Sequence, residues 1–161
     1  MAADLVMTCM LGNINLDGGR DNNGYELHGD TRATMGVTWR KQSVSNPWVE
    51  GSYDVIAVRE NVTEALAVWV YGTPSNGPAT AAGNSAFRQR VNVLEALIAK
   101  PQFNIVFTVG DLTETWDCTY SDYTIETSRE FQYATQGVMR MQINRRPAVL
   151  RAFADGTTVR A

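Results

Sequence analysis

Apolar and polar positions alternate along most of this chain, the spacing of strands with one covered face. The alternation is clearest in residues 63–71, where Leu66, Val68 and Val70 share one face and Ala65, Ala67, Trp69 and Tyr71 the other. Both faces are largely apolar, which predicts a central strand covered on two sides. Residues 35–41, 53–59, 103–109, 112–120, 123–127 and 137–144 predict further strands, the last with Met139, Met141 and Ile143 set against Val138, Arg140 and Gln142. Gly110-Asp111 between two of these runs is a two-residue hairpin signal of the type II′ kind. An apolar run over residues 5–11 is short enough for a buried strand.

The period changes once. Over residues 85–100, Phe87, Val91, Leu94, Leu97 and Ile98 form a stripe with Arg88, Gln89, Asn92, Glu95 and Ala99 opposite, which predicts an amphipathic helix ~24 Å long. Asn84 or Ser85 is its expected cap, and Pro101 ends it. Two stretches break every period. Residues 12–30 are rich in Gly, Asn and Asp and read as a long exposed loop with a short strand near residues 25–28; loops of that length are candidate contact arms. Residues 72–83 are small residues and helix breakers and read as a flexible connection. Strands, one helix, then strands predict a mainly β (α+β) fold, an antiparallel β-sandwich or barrel flanked by one α-helix.

Composition narrows the function. The 161 residues are 44% hydrophobic and 19% charged, a globular balance. No apolar run reaches the ~20 residues of a membrane span, and the start Met1-Ala2-Ala3-Asp4 lacks the positive charge of a signal peptide, so the chain is expected in the cytosol or in what it assembles into. A net charge of −3 argues against tight general DNA binding. Only Lys41 and Lys100 among the 14 basic residues are lysines, and arginine is the cation enriched at protein interfaces. Cys9 and Cys118 are expected as buried thiols.

Chemistry is sparse. His28 is the only histidine, with no nucleophile to serve, and Walker A, dinucleotide-binding, CxxC and HExxH patterns are absent. Asn13-Ile14-Asn15-Leu16-Asp17-Gly18 opens like a calcium loop but has Gly24 where the twelfth position needs a bidentate Glu. Asn61-Val62-Thr63 matches a glycosylation acceptor without a secretory route. Asp117 and Asp122 read as turn and surface acids rather than a hydrolytic pair. No enzyme, metal or cofactor is therefore expected. Trp39 and Trp48 bracket a stretch read as a hairpin tip or crossing loop, where they are either core residues or exposed binding anchors.

Several segments carry a family resemblance: Trp39-Arg40-Lys41-Gln42 with Pro47-Trp48-Val49-Glu50-Gly51, residues 64–72, residues 116–123, and Arg145-Arg146-Pro147. Across about three quarters of its length the chain resembles minor tail proteins of siphophages that infect actinobacteria, which share the fold of tail-tube and distal-tail proteins. The resemblance implies one tail-tube-like domain over residues 1–161, with the loop at 12–30 and a C-terminal extension from about 148. It implies a ring, of six subunits, in the tail tube or distal tail of a virion, made in the host cytoplasm, with neighbouring tail proteins as partners and DNA only in transit through the lumen. An acidic lumen repels phosphates and lets DNA pass. The expected assembly contacts are Trp39, Trp48, Asp17, Asp21, Arg140, Arg145, Arg146 and Arg151. The alternative is a tail-tip module that binds a receptor or glycan.

Overall fold

The computed structural model describes residues 7–29, 31, 38–45, 52–128, 130 and 133–160. Ten strands and one helix follow in the order β1 (Met7–Leu11), β2 (Ile14–Asn15), β3 (Tyr25–Leu27), β4 (Thr38–Ser45), β5 (Ser52–Glu60), β6 (Val62–Tyr71), α1 (Ala81–Ile98), β7 (Phe103–Val109), β8 (Leu112–Glu126), β9 (Gln136–Ala152) and β10 (Thr158–Arg160). Eight strands form one antiparallel sheet in the order β2-β1-β7-β8-β9-β6-β3, with β10 on β9, and β4 and β5 form a separate two-stranded ribbon. The large sheet is nearly closed and barrel-like, and the mainly β class with one helix is the one expected.

Pairing register explains the core. Leu66 lies opposite Met141, which in turn lies opposite Tyr123; Val68 faces Met139, and Ile105 sits between Leu11 and Trp116. The apolar face of each strand thus falls on one side of the sheet. Helix α1 lies against β6, β8 and β9 and adds Phe87, Val91, Leu94 and Ile98 to the same core, each burial contributing roughly 1.5–3 kcal/mol.

The helix begins four residues before its predicted start. Thr80 is the cap, its side chain accepting a hydrogen bond from the Gly83 amide at 3.0 Å, and Ala81-Ala82 are good helix formers. Gly83 is no breaker here: it lies where the helix meets Gly72, and a Cβ on Gly72 would overlap the Gly83 carbonyl.

Residues 12–30 depart most from expectation. The short strand expected near residues 25–28 is present as β3, but the segment also supplies β2, places the two as the outermost strands at the two ends of the sheet, and buries Leu16 and Tyr25. The segment therefore closes the seam. Asn23 Nδ2 donates to the Asn15 carbonyl at 2.7 Å, the Leu27 amide donates to Asp17 Oδ1 at 3.2 Å, and Gly19 bridges to Tyr25. Open sheet edges are aggregation hazards, and this clasp covers two of them.

Two predicted strands, 112–120 and 123–127, are one strand. β8 passes through Ser121-Asp122 on a bulge, with Ser121 Oγ donating to the Thr119 carbonyl at 2.9 Å and accepting from the Asn144 amide at 3.0 Å. β9 likewise outruns its predicted end at residue 144 and continues through Pro147. Pro147 lies in a bulge between the β6-paired and β10-paired parts of β9, where no ladder hydrogen bond needs its missing N–H. Gly110 turns the β7–β8 hairpin with φ +57°, as its sequence suggests.

Cys9 and Cys118 are buried free thiols. Strand β7 lies between them, and Cys9 and Cys118 face Phe107 and Phe103 on it, so two strand spacings, roughly 9.6 Å, and a four-residue offset put them beyond disulfide reach. Desolvation, reinforced by Asp17 for Cys9 and Asp117 for Cys118, pushes both up to about 12, so neither is a nucleophile near neutrality.

Candidate assembly surfaces

The β4–β5 ribbon is built unlike the rest. Every side chain described on it (Trp39, Arg40, Lys41, Gln42, Ala57, Val58, Arg59 and Glu60) is exposed, although consecutive strand residues point to opposite faces. Neither face at that end is covered, and neither outer edge pairs with another strand among the described residues. A two-stranded ribbon in that condition is marginal in water. Its own side chains supply the local order: Arg59 lies over the Trp39 ring at 5.3 Å, directly across the strand pair, and Arg40 approaches Glu60 at 3.9 Å. These exposed pairs contribute little.

The expected contacts distribute over the molecule instead of forming one patch. Trp39, 48% exposed, lies one pair from the root of the ribbon, where β5 passes through Asn61 into β6, and not at a tip. Trp48 lies outside the described residues. Asp17 holds the seam. Asp21 accepts from the Ser75 amide at 2.8 Å and from its hydroxyl at 2.7 Å, pinning the 72–80 connection to the clasp; the Ser75 amide bond chiefly holds its carboxyl below the usual aspartate value. Arg140 pairs with Glu126 at 3.0 Å on the exposed face, Arg151 with Glu114 at 2.9 Å in a half-buried site, and Arg146 is exposed beside Asn104 and Asp117.

Arg145 is a correction. Its side chain is 1% exposed and bonds Glu64, itself 0% exposed, at 2.8 Å; it lies 5.6 Å from the Trp116 ring and donates to the carbonyls of Arg146 and Pro147. An arginine there ties the β9 bulge to β6 and cannot touch a neighbour. The cue for burial was Glu64 on the face of Leu66 and Val68, which reads as an exposed acid until its register with β9 is known.

Sequence reading also missed an aromatic row and a groove on the outer face of β6. Arg20 lies 4.6 Å over the Tyr71 ring, Tyr71 stacks on Trp69 at 5.6 Å, and His28 meets Trp69 at 5.4 Å. Next to this row is a groove of about 280 Å³, lined by His28, Trp69, Glu126, Gly137, Val138 and Arg140 among others. The calcium-like loop is occupied by backbone: Asn15 Oδ1 accepts from the Asp17 amide, and Asp17 Oδ1 from Leu27.

These features define a class by fold, a barrel-like antiparallel body with one packed helix and a separate two-stranded ribbon. The chain shares its fold with the crystal structure of SPP1 Dit (gp 19.1), described as a paradigm of the hub adsorption apparatus in phages infecting Gram-positive bacteria, at TM-score 0.58 and 13% identity. The likeness covers 90% of this chain and 52% of that one, so the chain spans about half the length of SPP1 Dit. It does not single out the actinobacterial type that the sequence resembles. No family model matches the chain, and no curated protein matches it.

Proposed function

We propose that the chain is a non-catalytic structural subunit of a bacteriophage tail that assembles with copies of itself into a ring of six, in the tail tube or distal tail, and encloses a lumen through which DNA passes. The β4–β5 ribbon carries this reading. On a body with the fold of SPP1 Dit its described side chains are exposed on both faces and its outer edges are unpaired among the described residues, and a second copy would cover them. A body of this size, with a radius of gyration of about 15 Å, cannot enclose a duplex alone, so a conduit requires several copies. The net charge of −3 suits passage of DNA over binding it.

In this reading residues 1–161 make one tail-tube-like domain, and the stretch from about 148, with the end of β9 and all of β10, extends it. The ring is made in the host cytoplasm and resides in the virion tail, in contact with neighbouring tail proteins. The stacking of Tyr71 and Trp69 on each other, with Arg20 and His28 at the ends, favours assembly over a tail-tip glycan platform, which needs an open ring face. Native mass measurement across protein concentration tests the proposal. A closed species of six times 17.8 kDa is expected, and a monomer at every concentration and within purified tails contradicts it.

A further inference from the structure

A ring of identical subunits needs two different patches, one offered and one received, on every copy. The root of the ribbon is the offered patch: an exposed Trp39 indole with Arg59 on its ring, flanked by Arg40 and Lys41. Tryptophan and arginine are the side chains most enriched at interface hot spots. The receiving patch needs an apolar wall for the indole and an acidic rim for its cations.

Among the described residues, one groove combines these properties. The groove beside Trp69 has Val138 and Gly137 among its lining, the Trp69 and His28 rings beside them, and Glu126 at its rim; Glu26 lies opposite Trp69 in the β3–β6 register. Its cation, Arg140, is already bonded to Glu126, whose side chain remains 68% exposed. At about 280 Å³ it lies near the lower end of ligand clefts, roughly 300 Å³, and admits one indole. The cleft at Gln102, Asn104, Asp117 and Arg146 is mostly polar, and the one at Thr73, Tyr133 and Gln136 contains Arg20, which repels the arm.

We infer that this groove receives the ribbon root of the next copy, with Trp39 entering beside Trp69 and Val138 and Arg59 facing Glu126. The inference rests on the ring reading above. The two patches lie at opposite ends of β6, from Val62 at the ribbon root to Trp69 at the groove, about 23 Å at ~3.3 Å per residue. One chain therefore cannot fill its own groove, and the contact runs head to tail, as a closed ring requires.

Paired cysteines in the full chain test it. Ala57→Cys lies on the Trp39 face of the ribbon and Ser128→Cys at the groove, and Cys9 and Cys118 are buried and silent. Mild oxidation of this double variant should give a ladder of covalent oligomers, whereas Ala57→Cys with Gln89→Cys on the solvent face of α1 should not. Trp39→Ala should raise the dissociation constant about 30-fold, the effect of a hot spot, and leave the thermal midpoint of the subunit in place. Assembly that persists without the first ladder, or with equal ladders from both pairs, overturns the groove contact and leaves the ring standing. A wild-type chain that never assembles overturns the ring reading and this contact with it.

Discussion

The body and the ribbon of this protein are made of the same kind of strand and held by opposite means. In the body, β6 pairs with β9 along its whole length and with β3 at Val68, Trp69 and Val70, packs an apolar face under α1, and holds the buried Glu64–Arg145 pair near its start. The ribbon continues directly from β6, yet all its described side chains face solvent. Two extended segments one residue apart thus differ in cover: β6 buries Leu66, Val68 and Val70, while the root of the ribbon is exposed on both faces. What differs is tertiary cover, which is where most of a strand's stability originates.

The contrast can be attacked from the body first, where effects are largest. Replacing Arg145 with Met leaves the Glu64 carboxylate buried without its partner, and a loss of roughly 3–5 kcal/mol is expected in chemical denaturation. A loss below about 1 kcal/mol would show that the junction of β6 and β9 relaxes and admits water. In the ribbon, Trp39→Ala should change subunit stability by no more than about 0.5 kcal/mol, because its ring is a surface group. A drop comparable to that of Arg145→Met would mean that the ribbon packs on its own body, and the comparison would fail.

The smallest effect concerns the clasp. Asp21 titrates below its ordinary value of 3.8 in the folded chain because the Ser75 amide bonds its carboxylate. The bond therefore contributes stability above pH 3.8 and loses it as pH falls through the lowered folded value. The stability difference between wild type and Asp21→Asn, followed by thermal melts, should shrink as the pH is taken down from 3.8. A difference that stays constant would remove Asp21 from the acid response.

The elements that could be read in the sequence are those whose partners lie on their own period. The stripe from Phe87 to Ile98 and the alternation in residues 63–71 each contain their own evidence, and both elements are present as read. Residues 12–30 could not be read this way. Their Gly, Asn and Asp content describes turns correctly, but the closing role depends on Asn15, Asp17, Asn23 and Tyr25 meeting across the seam of a sheet, which local spacing does not encode. The Ser121-Asp122 pair likewise looks like a turn, and only the bonds of Ser121 to Thr119 and Asn144 make it a bulge. Of the residues in the proposed contact, Trp39 was visible by type. Arg59 was not, because its place on the Trp39 ring follows from strand register, and Arg145 was assigned to the surface because its carboxylate partner is 81 residues away.

Hydrogen exchange, measured amide by amide on the dilute subunit and on the assembled state, tests the proposed dependence of the ribbon on a second copy most directly. The ribbon amides of β4 and β5 should exchange near the rate of an open chain in the subunit and become protected on assembly, while β6 and β9 stay protected in both. Ribbon amides as protected as those of β6 in the isolated subunit would contradict the account.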